Sequence, residues 1–376
     1  MVAMAGDATK RRVEGRAWRF RLCLAILFLV CSLVLRVVVS RTGSLLFPAY
    51  RHVTRAVMGL LAAIAGVVPF ALWDVAVLAG AVVTVVVLVR GFRGRGRVLP
   101  WLSWVALAGS VAVFLFVGWA CNHYAPPLAN ELGLEVDQYS TDDLAQATAH
   151  YLRQAARLAS EVPRDEDGAL LRQDFGELAS IAGASYASLE EDHDVLRGSQ
   201  APVKALLVWG EPLLYSGHTG MFFAPTGESG VPVNVAPAEL PFTMCHEAAH
   251  RLGIASEQEA NFAAFMACEA SDDVRLAYSG FYNAFCYCLN ALWRYDPELA
   301  QRVLQDVADE GLYEGVVLVL ADRTDTSECY AAYEGTFKEV GRTVNDTYLK
   351  SFGEVEGVRS YGLVVDYLIA WSMRQS

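Results

Sequence analysis

A chain of 376 residues that is 54% hydrophobic, with mean hydropathy +0.29, is too apolar for a purely water-soluble protein and too long for one small domain. The formal charge of −12 is unevenly spread: residues 1–121 hold 14 Lys+Arg against 3 Asp+Glu, and the remainder hold 16 against 39. So acidic a second part excludes nucleic acid as its partner, and the Gly91-Phe92-Arg93-Gly94-Arg95-Gly96 run has no strand before it and cannot serve as a phosphate loop.

Residues 22–40, 72–89 and 101–121 are each near the length that crosses a hydrocarbon core of ~30 Å, which predicts three transmembrane helices. Between the first two, residues 47–70 carry Arg51, His52 and Arg55 ahead of an Ala/Leu/Ile/Gly run. They read either as an interfacial amphipathic helix or as part of a long, tilted second span. Lys10, Arg11, Arg12, Arg16, Arg19 and Arg21 precede the first span, and Arg90, Arg93, Arg95 and Arg97 fill the loop between the second and third. Basic loops stay cytoplasmic. Both clusters obey that rule in a multi-pass protein of the cell membrane whose N-terminus is inside and whose residues after Cys121 are outside. The first apolar run is longer than a signal-peptide core and no small-x-small site follows before Arg41, so it reads as a retained anchor. Arg36 lies near its outer end, where it can snorkel. The chain thus divides into a membrane domain, 1–121, and an extracytoplasmic domain, 122–376.

Past the Pro126-Pro127 linker, Leu144, Ala147, Tyr151, Ala155 and Leu158 recur at helical spacing over residues 141–159, with Asp142 and Asp143 in the first turn. Residues 169–196 predict a second helix. The period then changes, and residues 203–209, 220–223 and 231–235 predict three short strands that Pro225 and Pro232 demote to edge or irregular ones. Residues 220–235 are either a substrate-binding edge, to which an extended peptide adds itself as a strand, or an ordinary hairpin covering the next helix. His218 lies in the loop before them, placed to stabilise charge in a cleft or simply solvated.

That next helix carries His246-Glu247-Ala248-Ala249-His250. Helical spacing stacks the two imidazoles one turn apart with a carboxylate beside them, which is the minimal grip for a catalytic Zn2+, and Glu247 is placed to deprotonate a water. Arg251-Leu252-Gly253 reads as the helix end, glycine supplying a left-handed turn. Ser256-Glu257-Gln258-Glu259 opens the following helix. Glu259 is the expected third metal ligand and Glu257 the reserve, while Ser256 and Glu259 also fit a capping box in which the carboxylate only satisfies backbone donors. Downstream, residues 276–293 are apolar, yet Asn283 and Asn290 inside and Asp272, Asp273 and Arg275 before them predict a buried helix and not a fourth span. On it, Tyr278 is either a candidate donor to an oxyanion or a core tyrosine, the more common role. Tyr333, Tyr348, Arg359 and Tyr361 are further donors that no spacing singles out. Of eight cysteines none shows metal-ligand spacing, and in an extracytoplasmic domain one disulfide stays open but unassigned.

The segments Gly220 to Glu228, Leu240 to Gly253, Glu259 to Phe265, Tyr278 to Phe281, Tyr348 to Lys350 and Val358 to Gly362, together with the three leading spans, resemble a bacterial membrane family filed as domain of unknown function 3810. The resemblance covers most of the chain. It implies a gluzincin-like metallopeptidase, with Glu259 in Glu-Ala-Asn at the position of the third ligand, and says almost nothing about substrate. The expectation is therefore an α-helical membrane anchor plus an α+β, mostly helical zincin-like domain with a small sheet. Its function would be zinc-dependent hydrolysis of a peptide or protein, with membrane lipid as the other partner. The rival is a non-catalytic receptor or envelope-binding module on a zincin scaffold, against which the intact Glu247 weighs. A site-2 type intramembrane protease is disfavoured because the His pair does not lie in a long apolar run.

Overall fold

The computed structural model describes residues 2–47, 49–93, 98–352 and 364–375. Arg95 and Arg97 of the basic loop and Arg359 and Tyr361 among the donors lie outside the described residues, as do the side chains of Lys10, Arg11 and Arg12.

The chain opens with α1 (Val2–Leu46), α2 (Ala49–Ala65), α3 (Leu72–Phe92) and α4 (Val98–Ala120). Three stretches, Arg16–Gly43, Leu72–Phe92 and Val98–Tyr124, are long and apolar enough to cross a membrane, so the protein is membrane-associated. α1 and α4 run parallel. Arg21 donates to Ser103 Oγ at 2.8 Å near one end, Phe28 meets Phe114 edge-on at 5.6 Å in the middle, and Val39, Phe47 and Cys121 share a small cluster at the other.

α2 is separate from the candidate spans. It ends at a turn before Leu72, and its Arg51, Thr54, Arg55, Met58, Ala62 and Ala65 are buried. Arg55 donates to Leu252 O, Asp194 O and Val195 O, and Arg51 pairs with Glu131 at 2.6 Å. Spacing of three and four puts these groups on one stripe of the helix, and that stripe docks on the domain that follows the spans.

That domain comprises α5 (Leu128–Leu132), α6 (Thr141–Leu158), α7 (Phe175–Ala184), β1 (Lys204–Leu206), α8 (Gly210–Tyr215), β2 (Met221–Phe223), β3 (Glu228–Pro232), α9 (Leu240–Arg251), α10 (Glu257–Glu269), α11 (Val274–Tyr295), α12 (Pro297–Val307), α13 (Tyr313–Ala331), α14 (Thr336–Ser351) and α15 (Val364–Gln375). α6 starts where Ser140 and Asp143 form a capping box, and its apolar stripe packs on α11, α12, α13 and α15. Tyr151, fully buried, ties it to α15 through Leu368 O at 2.7 Å. α11 is a buried helix of this core and is not among the candidate spans.

Two sequence expectations shift. Residues 169–196 do not form one helix: Leu170 makes an isolated bridge to Arg164, Asp174 caps α7, and short 3-10 turns take over at Ser185–Ser188 and Asp194–Leu196. Gly183 lets Ala201 and Pro202 pass against α7, since an added Cβ would sit 3.0 Å from Pro202 Cα. Second, the sheet order is β1-β3-β2, so β3 is the central strand although Pro232 was expected to demote it. Pro232 is its last residue, where the missing N–H costs least. β1 pairs parallel to β3 (Ala205 with Val231) and β2 antiparallel (Phe222 with Ser229), which leaves β2 an edge strand.

Two acidic side chains fasten this sheet to the second candidate span. Asp74, fully buried, accepts from the backbone N–H groups of Leu207, Val208 and Trp209 at 2.6–2.7 Å. Glu228 accepts from the N–H groups of Leu72 and Trp73 and pairs with Lys204 at 2.8 Å. Buried charges persist when paired and hydrogen-bonded in this way. None of these residues announces itself in the sequence.

Candidate metal centre

α9 ends in a Schellman turn: Ile254 N–H reaches Ala249 O and Gly253 N–H reaches His250 O, with Gly253 at φ 83° as the expected left-handed residue. The turn does more than stop the helix. It carries Ile254 O to 2.7 Å from His250 Nδ1, which fixes the ring orientation and leaves Nε2 toward the cleft. The chain then starts α10 at Glu257 with Ser256 as N-cap, and Glu257 Oε2 comes to 3.2 Å from His246 Nε2 and 3.8 Å from His250 Nε2. His246, His250 and Glu257 offer ligand-type atoms that all lie within 4.8 Å of one another, a group able to hold a metal ion.

Glu259 is not in this group. Two residues along a helix turn the side chain by about 200°, so Glu257 and Glu259 face opposite sides of α10. Glu257 faces α9, and Glu259 points away to accept from Leu128 N–H at 2.7 Å at the start of α5 and from Tyr367 OH at 3.5 Å. Nor does it close a capping box, since Ser256 makes no side-chain cap. The ligand expectation therefore moves from Glu259 to the reserve, Glu257.

Tyr278 is also elsewhere. Its hydroxyl donates to Asp322, which is held by Arg164 at 2.7 Å, in a buried network joining α11 to α13. Burial first and the Asp322 charge second push that phenol well above its ordinary range. Tyr333 packs edge-on against Tyr215 at 5.0 Å and does not line the cleft, whereas Tyr348 does.

The cleft in front of the cluster measures about 600 Å³, within the usual span of ligand sites. His218, Gly220 and β2 form one wall, α9 and α10 the floor, Phe116 and Trp119 of α4 a second wall, and Arg342, Asn345 and Tyr348 of α14 a third. His218 Nδ1 is 2.9 Å from Ser216 Oγ, and burial lowers its pKa against the pull of Glu257.

Glu247 is 4% exposed, and its Oε2 has no hydrogen-bond partner among the described residues. Burial pushes its carboxyl up to about 8, against the lowering effect of His246. Gly220 makes room for it, because a Cβ there would fall 2.7 Å from the Glu247 carboxyl carbon. Burial is the largest influence on the other three groups too, but the outcome differs. Hydrogen bonding and charge from Glu257 override it and raise His246, the histidines pull Glu257 down to about 2, and His250, beside His246, falls to about 4. The two imidazoles are thus shifted in opposite directions.

Four positioning residues had no clear sequence signal. Ser229 on β3 donates to Glu247 O at 2.6 Å, and the buried Arg251 reaches Ser229 Oγ at 3.3 Å and Ala201 O at 2.6 Å, so the sheet and α9 are locked together. Asn261, one turn after Glu257, lines the cleft beside His246. Trp119 Nε1 donates to His250 O at 2.8 Å, with its ring edge-on to His250 at 5.8 Å. Its aromatic place near the end of a span was visible beforehand, and its contact with a ligand helix was not.

Fold and site together define a mostly helical, membrane-associated protein with a small sheet and a buried His/His/Glu cluster in a cleft. The chain belongs to the family described as "Protein of unknown function (DUF3810)", whose match spans residues 50–369. No curated protein and no solved structure matches it.

Proposed function

We propose that this protein is a membrane-anchored, zinc-dependent metallopeptidase of zincin-like architecture whose domain after Cys121 faces the outside. The observation that carries the reading is the convergence of His246, His250 and Glu257 on one cleft with an unpartnered Glu247 oxygen, next to the edge strand β2.

The donor set fits zinc: two imidazoles one turn apart, one carboxylate from the next helix, and a backbone carbonyl orienting one ring. His246, His250 and Glu257 would hold the ion, which when bound supplies Lewis-acid chemistry by acidifying a water and polarising a carbonyl. Glu247 takes the proton from the attacking water and returns it to the leaving amine, a role that suits a buried carboxylate with an unpartnered oxygen in the cleft. His218, and not Tyr278, is the cleft side chain that donates to the developing oxyanion. An extended peptide adds itself to β2 as a further strand.

Orientation follows from charge. Arg21 lies beside Ser103 at the end of the helices remote from the domain, while residues 39, 47 and 121 gather at the domain end. Basic residues mark the cytoplasmic side, which leaves the acidic domain outside.

The test is Glu247→Gln in the full-length protein. Zinc content stays at the wild-type level and peptide hydrolysis falls by about 10²–10⁴-fold; peptidase activity retained in that variant would refute the assignment of the base. A wild-type protein that binds zinc and cuts no member of a peptide library returns the reading to a non-catalytic scaffold.

A further inference from the structure

The cleft sits where the chain leaves the hydrocarbon, and we propose that its substrate is the membrane-proximal segment of a polypeptide anchored in the same bilayer; this deepens the peptidase reading and rests on it. The 27-residue apolar stretch Val98–Tyr124 is about 40 Å long as a helix against a hydrocarbon core of ~30 Å. The surplus of roughly 10 Å, about seven residues, lies at headgroup level when it is placed at the domain end. Trp119 is in that surplus, and it touches His250 by ring and by hydrogen bond. Phe116, one turn earlier, lines the same cleft. One wall of the site is thus the end of a membrane helix.

α2 supplies the second, independent observation. Its arginines turn inward, whereas Val53, Leu60 and Ile64 turn outward at 63%, 63% and 58% exposure. A helix facing water would show the reverse. With α1 and α3, both candidate spans, joined to its two ends, the cover for this face is the boundary between headgroups and acyl chains, where such helices lie. The inner side of α2 then reaches the site: Met58 clusters with Trp119, Phe222 and Phe352, and a Cβ at Gly227 in the β2–β3 turn would meet Ala62 N at 2.8 Å. One helix thickness, about 10 Å, separates the edge strand from the membrane surface.

An extended chain covers that distance in about three residues. A peptide tethered in the bilayer is therefore delivered to β2 at the high effective concentration of an intramolecular partner, whereas a free peptide must find a cleft crowded against the lipid. Cuts fall within the first few residues beyond the substrate's own span.

The experiment reconstitutes the full-length zinc-loaded protein in liposomes. It presents one randomised peptide library in two forms, free in solution and fused to an apolar span of about twenty residues, and maps cuts by mass spectrometry. The anchored form is cut at least about tenfold faster, at positions clustered next to the span. Equal rates, or cuts spread evenly along the anchored segment, overturn the proposal and leave the peptidase standing; no cutting of either form by zinc-loaded protein removes both. In the Leu60→Glu/Ile64→Glu variant the free library is cut as before and the advantage of the anchored one falls at least fivefold, by the effective-concentration argument; an undiminished advantage contradicts the proposal. A benzoylphenylalanine at Leu60 reports independently of activity: crosslinks to lipid acyl chains are expected, and their absence counts against it.

Discussion

Glu257 and Glu259 differ by two positions and belong to two different systems. Glu257→Ala removes a proposed ligand and is expected to lower zinc affinity by more than the 10–100-fold typical of an outer-shell partner, with the fold intact. Glu259→Ala leaves zinc in place and instead uncaps Leu128 N–H, costing about 1–3 kcal/mol in unfolding experiments. Protonation follows the same pair. In chelator-treated protein the raised His246 contributes stability that is full below its unfolded value near 6.5 and is lost as pH rises through its folded value. The depressed Glu257 contributes stability that is full above roughly 4.5 and is lost as pH falls toward about 2. The metal-free protein is thus expected to melt highest between about pH 4.5 and 6.5, and zinc binding, which needs His246 neutral, to weaken as pH drops through that raised value. A thermal-shift series across pH with and without zinc reads both trends. His246, Glu247 and His250 were legible in the sequence because one helix with one period fixes their common face. The third member of the cluster was not, because its face depends on the five residues from Leu252 to Ser256 and not on its own spacing. The alternatives for Tyr278 stayed open for a related reason: a tyrosine on an apolar helix does not reveal that its partner, Asp322, lies 44 residues away.

At the scale of elements, the turn between α9 and α10 is where local structure becomes chemistry. Gly253→Ala forces a side chain into φ 83° and is expected to cost about 1–2 kcal/mol. It also weakens zinc binding, because Ile254 O no longer holds His250 Nδ1, and isothermal titration with zinc separates this from a loss of stability alone. Glycine, helix periodicity and the break between helices were all readable in advance. The coupling of the sheet to the membrane was not, since Asp74 inside an apolar run looks like an isolated cost and Glu228 like a turn residue. Their meaning lies in backbone groups far off in sequence. Asp74→Ala removes the shared acceptor of three part-buried N–H groups and is expected to destabilise the protein by about 1–3 kcal/mol. The length of α7 was overread because composition favours helix through residues 169–196 while Asp174 and the packing of Ala201 on Gly183 cut it short.

Over the whole molecule, the proposal that the candidate centre lies beside the membrane rests on three apolar helices, an amphipathic helix with its arginines turned inward and a cleft walled by Phe116 and Trp119. The division of charge was evident from composition, and so was the number of spans. The docking of α2 was left open because its arginines suit a headgroup zone and a protein groove equally well until Leu252, Asp194 and Val195 supply the carbonyls. The proposed outward orientation predicts that protease added to intact spheroplasts degrades the domain after Cys121 and spares epitopes at the N-terminus and between the second and third spans. The claim on which everything else depends is metal binding by three named side chains, and zinc quantification on the purified full-length protein tests it most directly. The account predicts one zinc per chain in the wild type, in Glu247→Gln and in Glu259→Ala, and loss of the metal in His250→Ala and Glu257→Ala. A wild-type protein without zinc, or a Glu257→Ala variant that keeps it while Glu259→Ala loses it, would contradict the account.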